Sequence, residues 1–155
     1  AFRRAQADAF LALGRIRRAV ERRTDALFAD EGLQDITYAQ ANALVALFQA
    51  RGPVNARTIA GQLGVSEVTV GRFVRALCAA GWVERSRDPK DSRAFLLQPT
   101  ARAYAQLPRF IQVFNRVLDQ AFDGFDKDQV AALLAAVERV GENLGEGGRG
   151  QVASC

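Results

Sequence analysis

The sequence predicts a mainly α fold with one small β-hairpin. Apolar residues recur at helical spacing over most of the 155 residues. Capping residues and glycines cut that periodicity into six segments, four before the hairpin and two after it. Between the fourth and fifth segments, two short apolar runs flank the charged stretch RSRDPKDSR, residues 85–93.

Residues 5–30 read as a long first helix, because Ala9, Leu13, Ile16, Val20 and Leu27 keep one face apolar, and Gly32 suits its C-terminal cap. Thr37-Tyr38-Ala39-Gln40 has the form of a capping box and opens a second helix from about Tyr38 to Ala50. Gly52-Pro53 ends it, since proline lacks an amide hydrogen and restricts the residue before it. Asn55 caps a short third helix over 56–63, Gly64 permits the turn, and Ser66 caps a fourth helix to about Ala80. The fourth helix turns Val70, Phe73, Val74, Leu77 and Gly81 inward, leaving Glu67, Val68, Gly71, Arg72 and Arg75 outward. Two short helices around a glycine-containing turn make a helix-turn-helix pattern.

Residues 82–85 and 94–98 then read as the strands of the hairpin, and Pro99-Thr100 stops the second strand with Thr100 as the next N-cap. Leu107, Phe110, Ile111, Phe114, Leu118, Ala121, Phe122 and Phe125 mark the fifth helical segment, which Pro108 is expected to kink or delay. A last helix begins at Asp126–Gln129 and carries Val130, Leu133, Leu134, Val137, Val140 and Leu144 on one side. The tail EGGRGQVASC is glycine-rich and expected to be poorly ordered.

Composition narrows the function. No apolar run approaches the roughly 18 residues of a membrane span, and no signal-peptide core is visible, so a cytoplasmic protein is expected. Histidine is absent, which removes the commonest general base and neutral metal ligand. Cys78 and Cys155 form no spacing motif for zinc or a disulfide framework, and no metal or cofactor is implied. Of 21 basic and 17 acidic residues, eight and four lie within residues 51–93, so thirteen of each remain elsewhere and cancel. The entire excess of +4 sits in one central segment, a surface suited to phosphates or to an acidic partner.

The run IAGQLGVSEVTVGRFVRALCAAGWVERSRDPKDSRAFLLQPT, residues 59–100, resembles the MarR family of winged helix-turn-helix regulators. Leu63–Ser66 match its turn, Thr69–Arg72 its recognition helix and Gly81–Arg85 its approach to the wing. Asp88–Arg93 match the wing tip and Leu97–Thr100 its exit, in order and spacing. Four positions depart from the pattern. Gly71 stands where a hydroxyl residue is usual, Ser92 where a second wing arginine is common, and Ala76 and Cys78 where charged residues are usual. The resemblance implies a winged helix-turn-helix over 37–100, dimerisation helices at 1–36 and 101–145, and a flexible tail at 146–155.

On that reading the protein is a transcriptional regulator of double-stranded DNA, a repressor released by a small aromatic, phenolic or lipophilic effector. The rival readings are a winged-helix module for an acidic protein partner and a redox-responsive repressor using Cys78. An enzyme is not supported, since Asp88 and Asp91 are accompanied by no histidine, no apolar pocket signal and no nucleophile neighbourhood. In the recognition helix Arg72 is the candidate for bidentate contact with guanine, and Thr69 for a thymine methyl or a phosphate. Glu67 either accepts from cytosine or favours the helix dipole, and Val68 is either a thymine contact or plain surface. Ser66, Asn55, Thr58 and Arg75 are phosphate candidates.

In the wing, the resemblance sends Arg93 into the minor groove, while Lys90, Arg85 and Arg87 add phosphate contacts. Asp88 and Asp91 shape the wing. The apolar stripes of the terminal helices exceed what a small winged helix needs, and similar proteins interlock them in a two-fold homodimer, which implies a palindromic site. Arg15, Tyr38, Asn42, Phe110 and Phe114 are the candidates to line an effector cleft.

Overall fold

The computed structural model describes residues 1–146. The expected flexible tail from residue 147, with Cys155, lies outside the described residues. The helices are α1 (Phe2–Asp30), α2 (Tyr38–Gln49), α3 (Ala56–Leu63), α4 (Glu67–Ala79), α5 (Ala101–Ala121) and α6 (Lys127–Asn143). Strands β1 (Val83–Asp88) and β2 (Asp91–Pro99) form an antiparallel hairpin between α4 and α5. No helix among the described residues is long and apolar enough to cross a membrane.

Local chemistry sets the helix ends. Thr37 Oγ1 accepts from the Gln40 amide at 3.3 Å, and Gln40 Oε1 accepts from the Thr37 amide at 3.1 Å, a reciprocal capping box. Asp126 and Gln129 repeat it at α6, while Asn55 and Ser66 cap α3 and α4 through single side-chain oxygens. Three helices end alike. Beyond α1 the Leu33 amide bonds to the Phe28 carbonyl and Gly32 to Ala29, beyond α4 Trp82 bonds to Leu77 and Gly81 to Cys78, and beyond α6 Glu146 bonds to Gly141 and Gly145 to Glu142. All are Schellman closures, and they require the left-handed backbone of Gly32 (φ +75°), Gly81 (φ +80°) and Gly145 (φ +91°).

Four sequence expectations shift. Helix α1 begins at Phe2 rather than at residue 5. Pro108 lies inside α5 without delaying its start at Ala101, where Thr100 Oγ1 accepts from the Ala103 amide. The hairpin strands reach far into the charged stretch, leaving Pro89-Lys90 as a two-residue tip between the paired Asp88 and Asp91. Charged side chains and a proline carry low strand propensity, and an arm exposed on both faces shows no apolar alternation. Trp82, expected in the first strand, lies before it and is fully buried.

The described residues divide into two compact units, the first Ala1–Val117 and the second beginning at Leu118. The core of the first joins Leu27 and Phe28 of α1, Leu44 and Leu47 of α2, Ile59, Val70, Val74 and Leu77 of the helix-turn-helix, Leu97, and Phe110 and Val113 of α5. The inward stripe of α5 is therefore Ala103, Phe110, Val113 and Val117, whereas Ile111 is exposed. Trp82 sits at the meeting point. Phe110 meets its ring edge-on at 5.3 Å, and the Arg102 guanidinium lies 3.8 Å over it. The hairpin is tied in by a bridge from the α2–α3 connection, the Val54 amide donating to Leu97 at 3.1 Å and the Leu97 amide returning at 2.7 Å.

In the second unit the end of α5 leads through a turn at Gly124 (φ +80°) into α6. Helix α6 has no buried residue, and Val130, Leu133, Leu134, Val137, Val140 and Leu144 are all exposed along it.

Phe110→Ala is expected to cost about 3–5 kcal/mol, because it removes a buried ring that touches Phe28 and Trp82. Urea unfolding followed by circular dichroism measures this, and a loss below about 1 kcal/mol would contradict the core assignment.

Candidate nucleic-acid interface

Six of the twelve charged residues of the central segment, Arg57, Glu67, Arg75, Arg85, Asp91 and Arg93, line an open groove of about 490 Å³ between α4 and the hairpin. Its helical wall is formed by Glu67, Gly71, Val74 and Arg75, and its hairpin wall by Arg85, Asp91, Arg93, Ala94, Phe95 and Leu97. Asn55, Ala56 and Arg57 close one end. The register explains the hairpin side: Arg85 opposes Leu97 and Arg87 opposes Phe95, so these four share a face. The Arg85 guanidinium lies 5.1 Å over the Phe95 ring, which holds a cation beside the groove without an acidic partner. Among the described residues the close ion pair there is Arg57 with Glu67, 4.0 Å apart and exposed, so it contributes little to stability.

The aspartates of the hairpin turn their carboxylates onto the backbone. Asp88 Oδ1 accepts from the Lys90 amide at 2.8 Å, and Asp91 Oδ1 accepts from the Arg93 amide at 3.0 Å. Both bonds close turns. Arg87 donates to the Ser92 carbonyl at 3.3 Å across a bulge that places three extra residues on β2. Lys90 and Arg93 are exposed.

On α4 the expected residues separate by face. Val68, 76 % exposed, and Arg72 lie one turn apart on the outer surface, and neither lines the groove. Thr69 is half-buried. Its hydroxyl lies 2.9 Å from that of Ser66, whose Oγ also accepts from the Thr69 amide, and 3.5 Å from the Arg72 guanidinium. Asn55 Oδ1 accepts from both the amide and the hydroxyl of Thr58 at 2.9 Å. Arg57 and Phe95 join the groove without being expected from the sequence. Arg57 lies in the basic segment, but only the fold turns it toward the hairpin.

Residues 36–95 match the model of the MarR family. This segment is a MarR-family domain. Its fold recurs in solved structures of that family. A MarR protein from Peptoclostridium difficile is similar at a TM-score of 0.79 and 23 % identity, over 88 % of this chain and 87 % of that one. An uncharacterised SlyA-like transcription regulator from Listeria monocytogenes is similar at a TM-score of 0.75 and 21 % identity, over 86 % of each chain. A mutant MarR from E. coli, solved in complex with operator DNA, reaches a TM-score of 0.70 and 25 % identity, over 86 % of this chain and 96 % of that one. No curated protein matches the chain in sequence.

A second groove, of about 400 Å³, runs from the MarR-family domain to α1. It brings together Tyr38 and Asn42 with Arg17, Glu21, Leu63, Val65, Thr69 and Phe73. The other three effector candidates do not join them. Phe110 is buried against Phe28 and Trp82, and Phe114 packs edge-on to Phe28 at 6.0 Å, so both belong to the core. Arg15 does not line the groove, whereas Arg17 does, bonded to Glu21 at 3.2 Å. A helical period places residues two apart on different faces, which separates the two arginines.

Cys78 is half-buried at the end of α4. Burial pushes its thiol up, and the Arg85 cation only partly offsets that. A raised thiol is protonated at neutral pH and a weak nucleophile. In a Cys155→Ser background, Cys78 is expected to react with iodoacetamide more slowly than free cysteine at pH 7.5. Its rate should climb only above the pH at which an ordinary thiol ionises. Alkylation as fast as free cysteine at pH 7.5 would contradict the burial argument.

Proposed function

We propose that the protein is a DNA-binding transcription regulator that acts as a two-fold homodimer on a palindromic site. The observation that carries this reading is the groove where Arg57, Arg75, Arg85 and Arg93 converge beside the exposed Val68–Arg72 face of α4. A row of guanidiniums tracks a phosphate backbone, while outward residues in the first turns of a recognition helix reach base edges. Arg72 reads guanine, Val68 meets a thymine methyl, and Arg93, at the base of the wing tip, enters the minor groove. Lys90, Arg87 and Arg75 contact phosphates. Ser66, Asn55 and Thr58 spend their side-chain oxygens on helix caps, so their part is to fix the register of α3 and α4.

The dimer reading is supported by apolar side chains that the chain leaves uncovered. Phe2, Phe10, Leu11 and Ile16 of α1 and the whole apolar stripe of α6 are exposed. A second copy covers them and sets two recognition helices about one DNA turn apart. Regulation as a repressor released by a small aromatic or lipophilic effector is supported by the second groove. Its walls come from α1, α2 and α4, so a ligand that prefers one spacing of those helices shifts the DNA-binding equilibrium. The redox alternative is disfavoured by the burial of Cys78.

Duplex titration at several salt concentrations tests the central claim. A DNA-binding protein that neutralises phosphates loses affinity steeply as salt rises, with log K linear in log salt. A flat response, or no duplex binding at all, would sink it. Arg72→Ala should lose about 1–3 kcal/mol and relax the preference at one position of each half-site. Arg93→Ala should weaken binding most where the flanks are A·T-rich, and an equal loss on every flank would contradict minor-groove reading.

A further inference from the structure

Gly71 lies in the middle of α4, where glycine weakens a helix relative to alanine. Nothing among the described residues requires it. Its backbone is not among the left-handed glycines, and a Cβ there would meet no heavy atom within 4 Å beyond its own chain neighbours and helix backbone. Gly64 and Gly81, by contrast, are held at φ +69° and +80°, where a side chain is strained. The missing side chain of Gly71 therefore leaves space that the fold itself does not fill. That space opens into the groove whose rim carries Arg57, Arg75, Arg85 and Arg93.

We infer that Gly71 is the floor of a channel for one sugar–phosphate strand, which seats directly against α4 because no side chain intervenes. The inference rests on the DNA-binding reading and deepens it. A strand resting on bare helix backbone lies within reach of guanidiniums on both walls, and glycine is the residue that permits such close approach. A methyl group at this position touches nothing in the protein but lifts the strand from the helix and weakens its contacts with the arginines. Position 71 thus sets the depth at which the duplex docks, while Val68 and Arg72, on the outer face, read bases.

Gly71→Ala tests this, with Gly61→Ala as the control. Gly61 is likewise inside a helix with open space at its Cβ position, but it lies in α3 and does not line the groove. Thermal unfolding and salt titrations would be run on both variants and the wild type. The probe is a duplex recovered by the wild-type protein from randomised DNA. Both variants should gain about 2–5 °C in melting temperature. Gly71→Ala alone should bind at least about tenfold more weakly, with a salt slope shallower by about one, the signature of a lost phosphate contact.

Unchanged affinity for Gly71→Ala overturns the inference while leaving the DNA-binding reading intact. So does a tenfold loss at unchanged salt slope, which would place a base edge rather than a strand against the helix. An equal loss for Gly61→Ala, or a lower melting temperature for Gly71→Ala, removes its premise. If the wild-type protein recovers no duplex, the DNA-binding reading fails and this inference with it.

Discussion

The burial of Trp82 is the constraint on which the interface depends. It follows the Gly81 closure of α4, precedes the first residue of β1 and packs against Phe110 of α5. Three elements thereby share one rigid ring, which is fully buried. Neighbouring bonds hold the same junction. Arg102 covers the indole, donates to the Ala80 carbonyl and pairs with Asp35 at 2.9 Å, while Thr100 donates to the Gly81 carbonyl at 2.7 Å. The last carbonyls of a helix carry partial negative charge, so a cation and a hydroxyl are well matched to them. The angle between α4 and the hairpin, and hence the width of the basic groove, follows from how this junction packs.

The groove carries more positive charge than the fold itself balances. Arginines on its walls have little acidic compensation, and the nearby carboxylates of Asp88 and Asp91 are occupied by backbone amides. A cluster of like charges repels itself, and the fold gains nothing from it. Such a surface makes sense when counter-ions, or the phosphates that replace them, complete it. The long hairpin carries Lys90 and Arg93 beyond the core on a stem anchored by Val54 and Leu97.

The apolar stripe of α6 and the N-terminal half of α1 pose the complementary problem. Uncovered side chains of this size cost free energy in water, roughly in proportion to their exposed area. Buried residues of α1 are confined to its last two turns, at Thr24, Leu27 and Phe28. The periodicity of Ala9, Leu13 and Ile16 is therefore not explained by the core of the chain. The same holds for α6, whose stripe is as regular as that of a buried helix while none of it is buried.

Much of this architecture is legible in the order of the residues, because helix caps, left-handed glycines and amphipathic periods act over a few positions. Thr37–Gln40, Asn55, Ser66, Asp126–Gln129, Gly32, Gly64 and Gly81 mark their boundaries by chemistry that needs only neighbouring residues. The excess of charge between residues 51 and 93 is equally a property of sequence. What the tertiary structure decided is which distant residues meet. It placed Phe110 and Phe114 in the core, put Arg17 rather than Arg15 on the groove beside Tyr38 and Asn42, and turned Arg57 and Phe95 toward one groove. It also extended the hairpin to a two-residue tip through a charged stretch with no strand pattern. Those outcomes depend on packing and pairing between segments tens of residues apart, and no local signal records which face of one element will be covered by another.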